Sequence, residues 1–545
     1  SRAYALLTGG LVLTGALSLC MGLYLQRPGR MEDGRILFDE AHGDWESTLR
    51  AMDTEWYGMP STYNYHSLFV WLSHYYDVEQ ITAPLDEAEL RSGDVLVLKT
   101  PSIPYEPGEV NAVAEFVRSG GGLFVIGDHT NVFGTTSVLN PLLERFEVQL
   151  NYDATYKLQD GSFSVYRPPR FALDPVMQRV RRFEYLTSCT LEAPMVARRV
   201  MRDGRIITNQ ADYATRDFFS PQRFALSSTF GVFDQAAAVS CERGRVVVFT
   251  DSTCFSNFSV HMNGYPRFLL GVVAYLQTGE AAFPMRTVLL AFSALLLAGG
   301  LILFARRASR GLLAAGLVLG ALGWCAGAGV VAGLHARWYP SPGAVRPIPS
   351  IYFDTASSAI EISAQPPHPR SVDRSEHFET FYVWSQRVGL VPVSLEEGPT
   401  SEWEAGRPYV LINPRVDLKE NDVSAIEQHV RSGGGTLVLM GRPVADRPAI
   451  ERVLGGLDLE VEPGGRGGLV LRGERVVEHE ISPSLTLPVS TARRGAGRVV
   501  LVGDSVPMSD LSLGGTFTVP SDVQRRLYDV VFDLFREIGA LANSS

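Results

Sequence analysis

Three stretches of this chain, residues 4–25, 287–304 and 311–334, carry no charged side chain. A helix needs ~20 apolar residues to cross the hydrocarbon layer of a membrane, and all three runs are near or beyond that length. Buried core helices of this length normally keep a polar stripe, so the pattern predicts three transmembrane helices. The first run lacks a clear small-residue cleavage site and reads as an uncleaved anchor rather than a signal peptide. Between the second and third lies only Ala305-Arg306-Arg307-Ala308-Ser309-Arg310. Three arginines in so short a loop predict a cytoplasmic turn, with the N-terminus inside and the large polar segments outside. Arg27, Arg30, Arg286 and Arg337 flank the opposite side and pull against that orientation. The expected location is the bacterial inner (cytoplasmic) membrane, multi-pass, with both globular domains extracytoplasmic.

Outside these runs, short continuous apolar stretches alternate with helical spacing, and four blocks recur in the same order in both halves. Arg35-Ile36-Leu37-Phe38-Asp39 matches Ser350-Ile351-Tyr352-Phe353-Asp354, and Asp94-Val95-Leu96-Val97-Leu98-Lys99 matches Pro408-Tyr409-Val410-Leu411-Ile412-Asn413. A helical run ending in Arg118-Ser119-Gly120-Gly121-Gly122 matches one ending in Arg431-Ser432-Gly433-Gly434-Gly435. Finally, Gly244-Arg245-Val246-Val247-Val248-Phe249-Thr250-Asp251-Ser252 matches Gly497-Arg498-Val499-Val500-Leu501-Val502-Gly503-Asp504-Ser505. Runs rich in Val, Ile and Leu read as strands covered on both faces, and the glycine triplets read as helix stops. Strands alternating with helices predict a parallel sheet with helices on both faces.

The predicted fold class is therefore α/β, with two tandem doubly wound parallel-sheet, flavodoxin-like domains plus three transmembrane helices. The boundaries are 1–30 for the anchor, 31–280 for the first domain, 285–336 for a transmembrane hairpin and 345–545 for a smaller second domain. The first copy is the longer, with an insertion at about 130–190 expected to cap the sheet edge. In the hairpin, Gly299, Gly300, Gly311, Gly316, Gly320, Gly323, Gly327 and Gly329 allow close helix approach, within the hairpin or against another membrane subunit. No charge lies inside a span, so a transport path through this chain alone is not expected.

Composition adds exclusions. The net charge of −10 comes without a basic run long enough to follow a phosphate backbone, so nucleic acid is not an expected partner. Mean hydropathy is +0.05, and the apolar excess is concentrated in the three runs. Of five cysteines, Cys20 and Cys325 fall in lipid, Cys189 and Cys241 are free to pair in an oxidising compartment, and Cys254 is left over. No CxxC or Cys/His metal spacing occurs.

The block order, with Phe38-Asp39-Glu40-Ala41-His42-Gly43 at the start and Asp251-Ser252 followed by Phe255-Ser256-Asn257 at the end, resembles the class I glutamine amidotransferase-like fold. More narrowly, it is similar to a membrane-anchored, uncharacterised branch that includes gliding-motility and ABC-transporter auxiliary proteins and a GIFT-type domain of intraflagellar transport proteins. In true amidotransferases the turn after the Gly-rich helix stop and its strand carries a nucleophilic cysteine, which needs a base and oxyanion donors. Here those turns read Gly127-Asp128-His129-Thr130 and Gly441-Arg442-Pro443. The resemblance therefore implies the fold without the glutaminase chemistry.

Ligands of open parallel sheets gather at the carboxyl ends of the strands. Candidate binding residues there are Glu40, His42, Asp128, His129, Asn131, Asp251, Ser252 and Asn257. His42, Asp128 and His129 are the residue types a metal would take, and Glu40 with His129 would form an acid–base pair. Against this, Asp and Ser at strand ends commonly cap the following turn. The second copy keeps Asp354 and Asp504 but lacks both histidines and Glu40, so Glu40, His42, Asp128 and His129 are peculiar to the first domain. The aromatic stretch from Trp56 to Tyr65 offers ring faces to a glycan or peptide, although from Tyr65 onward helical spacing favours packing. No cofactor is expected. These features predict a non-catalytic binding or assembly subunit of a membrane complex, with other membrane subunits and a polar ligand or glycan as partners. The alternative is an extracytoplasmic hydrolase or metal-dependent enzyme acting at the first domain's polar edge.

Overall fold

The computed structural model describes residues 2–169, 172–213, 226–262, 264–306, 309–364, 374–399, 404–464, 467–483 and 485–542. Arg307 and Ala308 of the arginine loop lie outside the described residues. The chain forms two compact units. One comprises Ser1–Ser47, Tyr75–Cys254 and Asn263–Val345; the other comprises Thr48–His74, Phe255–Met262 and Arg346–Ser545.

In the first unit, helices α1 (Arg2–Tyr24), α4 (Met285–Arg306) and α5 (Arg310–Trp338) are long and apolar enough to cross a membrane, which marks a membrane protein. Leu295, Leu301, Leu317 and Val318 are exposed along α4 and α5, as lipid-facing side chains are. α1 packs against both other helices, and the glycines mediate this. An added Cβ at Gly323 would lie 2.2 Å from the Leu13 carbonyl oxygen, and one at Gly327 2.9 Å from that of Leu17. Gly299 and Gly300 face Leu11 and Val12. The close approach expected within the hairpin is thus made to α1, while Gly311, Gly316 and Gly329 meet nothing.

The unit's soluble part is a mixed α/β structure. Strands β1 (Ile36–Asp39), β2 (Val78–Ile81), β3 (Val95–Lys99), β4 (Gly122–Ile126), β5 (Arg198–Gln210), β6 (Thr229–Cys241) and β7 (Gly244–Phe249) belong to a ten-stranded sheet. Its order is β2-β1-β3-β4-β7-β6, parallel as far as β7 and antiparallel from β7 to β6. Short strands at Leu191–Glu192 and Gln149–Leu150 continue it, and Asp153–Lys157 pairs with β5. Residues 149–157, inside the expected insertion, thus add strands to the sheet. Every residue of β1, β3, β4 and β7 is buried, which is why these strands read as continuous apolar runs. Helix α2 (Pro107–Ser119) buries Val110, Val113 and Val117, and α3 (Tyr265–Leu276) buries Phe268, Leu269 and Val272. Cys189 and Cys241 are both free thiols, so the pairing open to them does not form.

In the second unit, β8 (Ser350–Asp354), β9 (Val391–Leu395), β10 (Pro408–Ile412), β11 (Thr436–Met440), β12 (Arg475–Ser482), β13 (Leu485–Arg494) and β14 (Gly497–Val502) run in the order β9-β8-β10-β11-β14-β13-β12. This repeats the path β2-β1-β3-β4-β7-β6. The shared glycine before the last parallel strand has a steric cause. An added Cβ at Gly244 would lie 2.0 Å from the Val117 carbonyl oxygen, and at Gly497 2.3 Å from that of Val430. Both sit where a helix end crosses the strand start.

The next residue, Arg245, is fully buried and ties the first unit's sheet to its membrane helices. Its guanidinium donates to Glu280 Oε1 at 2.8 Å, the Tyr275 carbonyl at 3.0 Å, Thr278 Oγ1 at 2.6 Å, Tyr339 Oη at 3.2 Å and the Arg27 carbonyl at 3.0 Å. Arg27 follows α1, Glu280 precedes α4 and Tyr339 ends α5. The segments leaving α1 and entering α4 are also paired, Pro28–Met31 with Thr278–Glu280.

Candidate functional site

Because β1, β3, β4 and β7 are parallel and in register, their carboxyl ends deliver Asp39, Lys99, Asp128 and Asp251 to one edge of the first unit. The side chains there form three buried arrangements.

The first is a clamp around His42. Its Nδ1 lies 3.0 Å from both Asp39 carboxylate oxygens, and its Nε2 lies 3.2 Å from Glu109 Oε2. Tyr105 donates to Asp39 Oδ2 at 2.9 Å and packs its ring on the imidazole at 4.3 Å between centroids. Glu109 is fixed as the N3 residue of a capping box on α2. Burial acts to lower the His42 pKa, but the Asp39 hydrogen bond and the Asp39 and Glu109 charges outweigh it and raise the value. With a carboxylate at each nitrogen, the ring is an imidazolium that donates from both sides. It has no lone pair for a metal and no room to act as a base. The His42→Ala variant is expected to lose about 3 kcal/mol, as when one member of a buried ion pair is removed. Because the folded pKa is raised, this stabilisation is complete below the ordinary histidine value and lost as pH rises through the folded one. Thermal unfolding of the two proteins across that window checks it; a constant gap at all pH values would sink the assignment.

The second arrangement pairs Glu40 with Lys99, whose Nζ lies 3.0 Å from Glu40 Oε1 with both side chains buried. The contact is a charge pairing without a well-aligned hydrogen bond. Ser47 donates to the other Glu40 oxygen at 2.9 Å.

The third is a chain of alternating carboxyls and hydroxyls. Ser252 Oγ lies 2.7 Å from Glu46 Oε1 and 2.6 Å from Asp128 Oδ2. Thr187 Oγ1 lies 3.0 Å from both Asp128 Oδ1 and Asp251 Oδ1. Thr100 donates to Glu46 Oε2, the His129 amide to Asp128 Oδ1, and the amides of Leu186 and Thr187 to Asp251 Oδ2. A serine hydroxyl has one hydrogen and cannot donate to two carboxylates at once. One of its neighbours must therefore carry a proton. Glu46 is that neighbour: burial, followed by the charge of Asp128, pushes its pKa up to about 8. Burial and Asp128 also push Asp251 up, to about 7. The chain can hold and exchange protons.

The backbone around it is strained. Glu46, Thr100, Thr130, Asn131 and Phe133 all have positive φ, between 37° and 57°, each costing roughly 1–3 kcal/mol. His129 Nδ1 lies 2.7 Å from Thr130 Oγ1, and burial lowers the ring's pKa. Asn131 donates to Asp212 at 3.1 Å and accepts from the Ser137 amide.

The structure thus brings Glu40, His42, Asp128, His129, Asn131, Asp251 and Ser252 to one sheet edge. Asn257 lies in the second unit, where it accepts from the Ser67 amide at 2.8 Å and donates to the Ser61 carbonyl at 2.9 Å. Among the described residues no group of three or more His, Cys, Asp or Glu side chains could hold a metal ion. The candidates His42, Asp128 and His129 are each engaged by protein partners instead. Cys254 donates to the Glu184 carbonyl, and burial together with Asp251 holds its thiol well above the usual range. Sequence reasoning passed over Glu46, Tyr105, Glu109 and Thr187. Glu109 was detectable, because Glu106-Pro107-Gly108-Glu109 spells a helix start with Glu at N3; Glu46 has no periodic or motif signal. At the second unit's corresponding edge, Ser505 donates to Asn413 Oδ1 at 2.6 Å, so the serine there meets an amide rather than a carboxyl.

Residues 60–273 match a family described as a domain of unknown function, DUF4350. No curated protein matches the chain. Among solved structures, the chain is similar to the mmIFT52 N-terminal domain, with 13% identity over 46% of this chain and 100% of that one at a TM-score of 0.32. It is also similar to the cytoplasmic protein STM1381 from Salmonella typhimurium LT2, with 14% identity, coverages of 44% and 99% and a TM-score of 0.28. A ThuA-like protein from Bacteroides uniformis gives 11%, 44%, 89% and 0.26. Likenesses this distant carry no argument about activity.

Proposed function

We propose that this protein is a non-catalytic binding or assembly subunit of a membrane protein complex, held in the inner membrane by three helices, with two amidotransferase-like domains, duplicated from one ancestor, outside it. The observation that carries this reading is the closed state of the polar edge. The turn where amidotransferase-like enzymes carry their cysteine holds Asp128, and the nearby hydroxyl of Ser252 is held between two buried carboxyls, Glu46 and Asp128, with no histidine among the described residues bonded to it in the way a Ser–His pair requires. A nucleophile needs a neighbouring base or a lowered pKa, and Cys254 has its thiol raised instead. The repeated strand order supports the duplication, and the Arg245 junction supports a domain held in a fixed pose at the membrane. Extraction of the full chain from native membranes in mild detergent is expected to bring a second membrane protein with it in stoichiometric amount. Recovery of the chain alone, at undiminished yield and stability, would defeat the reading.

A further inference from the structure

Between Leu191–Glu192 and β5 the first unit makes a tight turn, in which the Ala197 amide donates to the Pro194 carbonyl at 2.9 Å. Its corner residues are Met195 and Val196, 95% and 70% exposed. Turn corners normally carry Gly, Asn, Asp or Ser, whose local hydrogen bonding or backbone freedom suits them. Two adjacent large apolar side chains held in the open, beside a third at Phe283, mark a candidate interaction surface.

The turn's position supplies the explanation. The Arg286 guanidinium donates to the Val196 carbonyl at 3.1 Å, and Arg286 is the second residue of α4. An arginine bordering an apolar span sits at the headgroup level, with its stem along the lipid and its charge in the polar layer. The turn is therefore fixed at that depth. Phe283, 53% exposed, immediately precedes α4. The exposed arginines 27, 30 and 337 lie at the ends of α1 and α5 that meet the same Arg245 junction, and they match anionic headgroups. A second bond, from Arg199 to the Ala193 carbonyl at 3.1 Å, braces the turn from β5.

The geometry points to a membrane-inserted turn: Met195 and Val196, with Phe283, enter the boundary between headgroups and acyl chains, and the occupant of this apolar patch is the lipid bilayer. The turn is a contact from the soluble domain to the membrane additional to the three helices, and it fixes which face of the first unit lies on the lipid. This rests on the helices crossing a bilayer, so the experiment tests both separately.

The full-length chain carrying Cys241→Ser and Cys325→Ala, with the buried cysteines retained, is reconstituted in vesicles of phosphatidylethanolamine and phosphatidylglycerol. Nitroxide labels are placed singly at Met195→Cys, Val196→Cys, Leu295→Cys on α4, and Gln159→Cys on an exposed polar turn. Labels at 195 and 196 are expected to collide with lipid-dissolved oxygen more than with an aqueous nickel chelate, as at 295 and opposite to 159. Aqueous access at 195 and 196 with lipid access at 295 overturns the inserted turn while leaving the spans intact. Aqueous access at 295 as well overturns the spanning helices themselves. Labels at 195 and 196 that are water-exposed in vesicles but immobilised in native membranes would show that a protein covers the patch, which also overturns the proposal.

Discussion

Replacing Arg245 with Ala is expected to destabilise the protein by about 3–5 kcal/mol, the usual cost of removing one partner from a buried ion pair. The side chain has no exposed surface, and its removal takes the charge partner from Glu280 and a donor from the Arg27 and Tyr275 carbonyls, leaving Ser240 on Glu280 and Thr278 on Tyr275. The effect reaches beyond stability, because Arg27, Glu280 and Tyr339, all partners of Arg245, lie on the segments joining the sheet to the three apolar helices. Protease digestion of the 278–284 linker should therefore accelerate in the variant. Arg498 provides an internal control. It occupies the same place in the repeated motif, but its guanidinium meets Glu537 at a partly exposed site, at 2.8 Å. Exposed pairs contribute about 0–1 kcal/mol, so Arg498→Ala should shift the unfolding midpoint in detergent far less. Equal shifts for the two variants would refute the junction.

The Glu46→Gln variant should change how stability depends on pH. Folding raises the Glu46 pKa from 4.5 to about 8, so the folded state prefers the protonated acid. That preference stabilises fully below the unfolded value and is lost as pH rises through the folded one. Each tenfold preference is worth about 1.4 kcal/mol, and the whole window amounts to about 3–5 kcal/mol. Asp251, raised to about 7, adds loss in the same direction. Glutamine keeps the neutral shape, with an amide to donate to Ser252 and a carbonyl to accept from Thr100. Wild type and variant should therefore unfold together near pH 5, and the variant should be the more stable near pH 9. Parallel curves across the range would show that Glu46 is not the protonated member of the chain.

Much of the architecture was legible because it follows from local periodicity. Uncharged runs about as long as a bilayer is thick became helices, and Val-rich runs became strands buried on both faces. The recurrence of Gly244 and Gly497 marked a position where a helix end leaves no space for a Cβ. The polar edge was legible only in part. Parallel strands of known order bring their ends together, so Glu40, His42, Asp128 and Asp251 could be placed on one edge before any coordinates. What each side chain does there could not be read. His42 offered itself as a ligand but is held between Asp39 and Glu109, which come from different elements. The acid that completes the Asp128 chain, Glu46, lies on a loop without periodicity, 206 residues from its partner Ser252.

The repeated motif separates the two kinds of information. Gly-Arg-Val-Val in each half determines a strand start, its burial and the need for glycine, because these depend on backbone geometry and neighbouring residues. Whether the arginine becomes a buried pin or a surface ion pair was decided only by tertiary structure. In the first unit three membrane helices bring carbonyls and a carboxylate around Arg245 and exclude water, whereas in the second unit Arg498 faces one glutamate beside solvent. The worth of a charge depends on what surrounds it and how far water is excluded, and residues distant in the chain set both.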